Sequence, residues 1–147
     1  MAVQASSDIT NKPFILGGPG LTKQAETVAQ DAQRSGDMAV YTLMAKNPST
    51  GKWTPFTDET ATDGTQYPRG VLLKKLTEAE IKAGDVVNTP ILVGDAIVDQ
   101  NQLTIENSKT LATIVNVPTN FNTAVEDLLR QIGIFMQDTV DISELEA

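Results

Sequence analysis

Histidine and cysteine are both absent from the 147 residues, so chemistry has to come from carboxylates, hydroxyls, Lys and Arg side chains and a single tryptophan. The missing histidine removes the commonest general base, the Ser-His-Asp triad and nearly all zinc catalysis. The missing cysteine removes disulfides and thiolate chemistry. Among the carboxylates, Asp95 and Asp99 stand four apart around Ala96-Ile97-Val98, a spacing that on a strand puts both on one face. Asp58, Glu59 and Asp63 supply the oxygen donors a cation site needs. Both groups fall in turn-like, half-exposed contexts where solvated carboxylates are ordinary, so the expectation is no catalytic residue, no metal site and no cofactor.

Three other features invite a chemical reading. Gly17-Gly18-Pro19-Gly20 with Thr22 and Lys23 resembles a phosphate loop superficially, but a Walker motif needs its Lys directly after the last Gly and an apolar strand before the loop. The run reads as a turn. Trp53, followed by Thr54-Pro55-Phe56, has the makings of a sugar-stacking platform; an aromatic pair after a β-turn more often anchors a core or a subunit contact. Arg69, in Tyr67-Pro68-Arg69-Gly70, suits an anion or, more ordinarily, a structural ion pair.

The elements that would position these residues are short. A chain of this length fits one domain with an appended segment, and 40% hydrophobic residues with a mean hydropathy of -0.15 describe a soluble globular composition. No stretch is apolar enough to span a bilayer, and the first residues lack the basic and apolar regions of a secretory signal. A formal charge of -8 argues against nucleic acid, whose affinity comes mainly from Lys and Arg on phosphates. The expectation is cytoplasmic synthesis, with no membrane and no nucleic-acid partner.

Residues 1–36 are rich in Ala, Gln, Thr, Ser and Gly, and read as a flexible N-terminal arm whose apolar patch is Pro13-Phe14-Ile15-Leu16; residues 21–34 read as arm or frayed helix. Residues 37–147 form the body. Strands are expected over 38–44, around Trp53 and over 70–73, 90–93, 96–98, 103–105 and 111–117. One helix starts at Thr77 with a capping box to Glu80, a Leu76–Ile81 staple and a stop at Gly84. A second starts near Ala124 with a box from Thr123 to Glu126 and an apolar face of Val125, Leu128, Leu129 and Ile132, before a break at Gly133 and a strand from Ile134 towards Ile142. The fold class is α+β, mainly β: a small barrel- or sandwich-like body of short strands with two short helices and an extended N-terminal arm.

The order Ala39-Val40-Tyr41-Thr42-Leu43-Met44, the Ser49-Thr50-Gly51-Lys52 turn, Trp53, the loop ending Asp63-Gly64-Thr65, and Gly70-Val71-Leu72 resembles the opening of the lambda-type bacteriophage head decoration family. Residues 90–99 and the ending Leu128-Leu129-Arg130-Gln131-Ile132-Gly133-Ile134-Phe135 look like its longer members, so the resemblance covers about 38–142. It implies a capsid decoration, or cement, protein: a homotrimer on the exterior of the virion. The trimer would bind the major capsid protein at threefold and quasi-threefold sites of the expanded shell and brace it against packaged DNA. It also implies an arm that orders on the capsid, here through Pro13, Phe14, Ile15 and Leu16. The helix from Thr77 and the length beyond Val98 exceed the simplest members. Competing readings are another β-rich virion component of tail or fibre, a carbohydrate-binding module using Trp53, and a histidine-free carboxylate hydrolase.

Overall fold

The computed structural model describes residues 12–115 and 122–139. In chain order these form β1 (Ile15–Gly17), β2 (Leu21–Val28), β3 (Leu43–Lys46), β4 (Trp53–Pro55), β5 (Pro68–Leu72), α1 (Glu78–Ala83), β6 (Val86–Gly94), β7 (Ala96–Asp99), a 3-10 turn (Gln100–Gln102), β8 (Ile114–Val115), β9 (Thr123–Ala124), α2 (Val125–Gln131) and β10 (Ile134–Gln137). Five strands close a barrel in the order β2-β4-β3-β5-β6. Its narrowest seam is the parallel contact of Val28 with Trp53, where the Ala29 amide donates to the Trp53 carbonyl at 2.8 Å. A three-stranded sheet β1-β7-β10 and the β8-β9 ribbon complete the body. The mainly β class, the barrel and the two short helices are as the sequence predicts.

Successive residues of the barrel strands serve two different cores. Leu43, Ala45, Val71 and Leu92 join Phe14, Phe56, Val98, Val125, Leu129 and Ile134 in one cluster. Their neighbours Met44, Leu72 and Ile91 join Val28, Met38, Trp53, Leu76 and Ile81 in the other. Because side chains alternate across a strand, β3, β5 and β6 bury both faces, and they read in the sequence as unbroken apolar runs rather than alternating ones. Each fully buried Leu, Ile or Val in them contributes about 1.5–3 kcal/mol of transfer free energy.

The first helix forms as its sequence dictates. The Thr77 hydroxyl accepts from the Glu80 amide, Glu80 accepts from the Thr77 amide at 3.1 Å, and Leu76 and Ile81 are both buried. The second starts one residue later than predicted: its cap is Ala124, with no side-chain bond to the first turn. Backbone replaces the expected Thr123 box, since the Val125 amide donates to Thr113 and the Glu126 amide to Leu111. Its predicted apolar face is correct, with Val125 and Leu129 buried and Leu128 and Ile132 packed beside them.

Several other expectations need correction. Residues 12–36, assigned to the arm, belong to the body, and residues 1–11 lie outside the described residues. Residues 21–28 are a strand, not helix or arm, because β6 offers a nine-residue edge and pairing from Leu21–Gly94 to Val28–Val86 overrides local helix propensity. The strand expected over 38–44 begins only at Leu43: Tyr41 turns at a φ of 68°, while Met38 bridges to Leu76. Residues 103–105 supply one bridge, Thr104 to Thr42. Only Ile114 and Val115 of the 111–117 strand are seen, residues 116–117 lying outside the described residues, as do Val140 and Ile142.

Candidate interaction surface

The three-stranded sheet is built around β7. On one side β1 runs antiparallel, with Ile15 opposite Val98 and Gly17 opposite Ile97; on the other β10 runs parallel, pairing Ile134 through Gln137 with Ala96 through Asp99. Ala96, Val98 and Ile134 point into the core. Ile97 and Phe135, in register on neighbouring strands, point outward and are 38% and 44% exposed. Gly17 continues this row: a Cβ there would lie 3.2 Å from Ile97 Cδ1, so glycine lets the isoleucine spread towards β1. The result is an uncharged row, Gly17-Ile97-Phe135, across a sheet whose two outer strands pair with no further strand among the described residues.

The predicted capsid-binding residues lie at one edge of this sheet but do not act alike. Pro13 is exposed. Phe14 is buried, its ring stacked on Tyr41 with centroids 4.0 Å apart, and its carbonyl accepts from the Asp99 amide at 2.8 Å. That is a correction: Phe14 is a core residue, because an aromatic ring next to the β1 edge finds a complete apolar site within its own chain. Ile15 and Leu16 are half-buried on β1, Ile15 against the same core.

Asp95 and Asp99 do not share a face. Asp95 is exposed in the tight β6–β7 turn at a φ of 53°; its carbonyl accepts from the Gly20 amide at 2.8 Å. A Cβ on Gly18 would come within 2.5 Å of that same carbonyl, so the glycine run is a turn docked on another turn. Asp99 is 2% exposed and binds throughout. Its Oδ1 accepts from the Asn101 amide and the Thr139 hydroxyl, and its Oδ2 from the Gln102 side chain, all at 3.0 Å. Burial raises its pKa, but the bonds from Gln102, Asn101 and Thr139 outweigh burial and hold it below the ordinary value. Gln102 also donates to the Pro13 carbonyl, and Asn101 to Asp138 and Thr139. Asp99 therefore pins together the places where the chain enters β1 and leaves β10.

The remaining candidates have structural partners. Asp58 accepts from the amide and hydroxyl of Thr60, Asp63 from those of Thr65, and Glu59 pairs with Lys109 at 2.8 Å; no metal-holding cluster occurs among the described residues. Trp53 is buried and donates to Glu26 Oε1 at 3.0 Å, with Lys46 over the ring, so it presents no face on which a sugar could stack. Arg69 lies over the Tyr67 ring, 5.5 Å from its centroid, and forms no ion pair among the described residues, contrary to the expected one.

No family model matches this chain, and no curated protein matches it. The surface is thus read from its geometry. A small uncharged apolar row beside a strand edge that is unpaired among the described residues suits contact with another protein through side chains and strand addition together. Ile97 and Phe135 escape sequence reasoning because each sits in an apolar run that looks wholly buried; the signal available was Gly17, whose missing side chain matters only once its partner strand is known.

Proposed function

We propose that this chain is a structural virion protein of the head decoration type, which binds the outside of an expanded phage capsid as a trimer and stabilises it. The observation that carries the reading is the Gly17-Ile97-Phe135 row with the β1 edge, unpaired among the described residues, next to the segment that the family resemblance assigns to the capsid. Exposed apolar groups aligned across a sheet edge have a cost in water that a protein partner removes. Two partly exposed side chains bury far less than the roughly 800 Å² per partner of a stable interface. Such a contact needs repetition, and three copies on one threefold site supply it through effective concentration. The net charge of -8 suits the outer surface better than the DNA-filled interior.

The test is co-sedimentation of the purified protein with undecorated phage heads, expanded and unexpanded. Saturable binding to expanded heads alone, with increased resistance of those heads to heat or chelation, supports decoration. Binding to tails or fibres but not to heads transfers the protein to another part of the virion. Absence of binding to any virion part removes the reading.

A further inference from the structure

Arg69 sits where β5 slips against β3. Met44 pairs with Gly70 and Ala45 with Pro68, so two steps along β5 answer one along β3, and Arg69 is the extra residue of a β-bulge. Bulges re-aim side chains, and Arg69 is exposed between the buried Pro68 and Gly70. Of the three arginines, Arg34 is paired with Glu106, and Arg130 with Glu126 and Asp127. Arg69 meets no carboxylate among the described residues and rests on the Tyr67 ring, 5.5 Å from its centroid. Lys46 is held in a similar way: its ammonium lies 5.6 Å from the centroid of the Trp53 ring, with a long 3.5 Å pair to Glu26. A ring face positions a cation without cancelling its charge.

The two cations share a cleft with Pro48 and Gly51, and Arg69 also borders a second cleft lined by Tyr67, Pro68, Leu128 and Ile132. Among the described residues no Asp or Glu lines either cleft, although the chain carries 19 acidic residues against 11 basic ones. A cationic and apolar patch on an acidic protein selects an anion with an apolar neighbour. The donors present favour a carboxylate over a phosphate. Phosphate sites gather converging backbone N–H groups; here Pro48 and Pro68 have none, and the Gly51 amide donates to the Asn47 carbonyl at 2.8 Å. A guanidinium fork matches a single carboxylate in bidentate geometry. The apolar cleft, about 190 Å³, is smaller than the roughly 300 Å³ of a small-molecule pocket, so it suits one side chain of a longer segment. We propose that the Arg69 bulge is a docking site for an acidic segment of a partner protein. A carboxylate of that segment engages Arg69 and Lys46, and a branched apolar residue beside it enters the cleft of Tyr67, Leu128 and Ile132. This surface shares no residue with the Gly17-Ile97-Phe135 row, so the inference goes beyond the decoration reading and stands without it.

Fluorescence anisotropy of a labelled peptide titrated with the full chain tests it, the probe being a short peptide in which Glu alternates with Leu. It should bind saturably, and more weakly as salt screens the pairing. Counterparts with Gln in place of Glu, or with Gly in place of Leu, should bind at least about tenfold more weakly. Arg69→Gln should lose the Glu–Leu peptide by a similar factor, and Arg69→Glu should lose it and take a Lys–Leu peptide instead. Both variants should melt like the unaltered chain, because Arg69 is exposed. Absence of saturable binding, undiminished binding by Arg69→Gln, or equal binding of the Gln–Leu peptide overturns the inference. Two further results would overturn it by giving the site another occupant. One is displacement of the peptide by inorganic phosphate at lower concentration than by acetate, at matched ionic strength; the other is self-association of the chain, without peptide, that Arg69→Gln abolishes.

Discussion

Asp99 shows how far a side chain's role depends on residues remote in sequence. Four residues from Asp95 and flanked by Ile97 and Val98, it reads as one of two solvated strand charges. In the fold it is buried because Gln102 and Thr139, the latter forty positions away, close over it. Nothing local announces Thr139. Replacing Asp99 by Asn removes the charge and turns one acceptor into a donor facing Gln102, so the expected loss is about 1–3 kcal/mol, read from urea unfolding midpoints. The pH dependence has a defined sign. The folded pKa lies below the ordinary aspartate value near 3.8, so as pH falls the unfolded chain takes up the proton first. The stabilisation is complete above that value and is lost as pH drops through the folded one. The stability gap between the native chain and Asp99→Asn should accordingly be constant near neutrality and shrink in acid; a gap independent of pH down to the acid transition would contradict the assignment. Trp53, by contrast, is legible as a core aromatic from its turn and neighbours, although its bond to Glu26 is not.

Elements whose signals are local are recovered from sequence, and those that depend on a distant partner are not. The first helix announces itself through Thr77, Glu80, Leu76, Ile81 and Gly84, all within nine residues. Thr77→Ala should cost about 1 kcal/mol in thermal or urea unfolding, the usual worth of such a cap. β2 has no apolar stripe to reveal it, since only Val28 is fully buried; its reason for being a strand is the edge of β6, whose paired residues lie 58 to 73 positions further on, from Val28–Val86 to Leu21–Gly94. Gly70 is a similar case, appearing in the sequence as a simple opening to an apolar run. Its missing side chain allows β5 to lie against β6: a Cβ would stand 2.7 Å from the Leu92 carbonyl oxygen and 2.8 Å from Ile91 Cγ2, with the Trp53 ring at 3.1 Å. Backbone cannot give way as a flexible side chain can. Gly70→Ala should therefore destabilise the barrel by about 1–3 kcal/mol, as overpacking does, whereas Gly51→Ala meets no neighbour and costs only the strain of its φ of 71°.

At the scale of the molecule, the three-stranded sheet separates positions that complete the core from positions that face outward. Phe14 and Ile97 lie on β1 and β7 or beside them, yet one completes the core against Tyr41 and the other faces outward. Truncating a buried Phe leaves a cavity, so Phe14→Ala should cost about 3–5 kcal/mol. Any shortening of the chain past residue 14 should likewise lower the melting temperature by several degrees, because a few kcal/mol is a large part of a small domain's stability. Ile97→Ser and Phe135→Ser remove groups already partly in water; surface changes of this kind usually lie within about ±0.5 kcal/mol. If the row is the contact with the capsid, the double variant should melt like the native chain and bind expanded heads at least about tenfold more weakly. The measurement is a co-sedimentation isotherm alongside a melting curve. Full binding by the double variant would free this face from the role given to it, even if the protein still decorates heads. The reverse result, weakened binding only in variants that also melt early, would mean that the sheet matters as scaffold and that the contact lies elsewhere on the body.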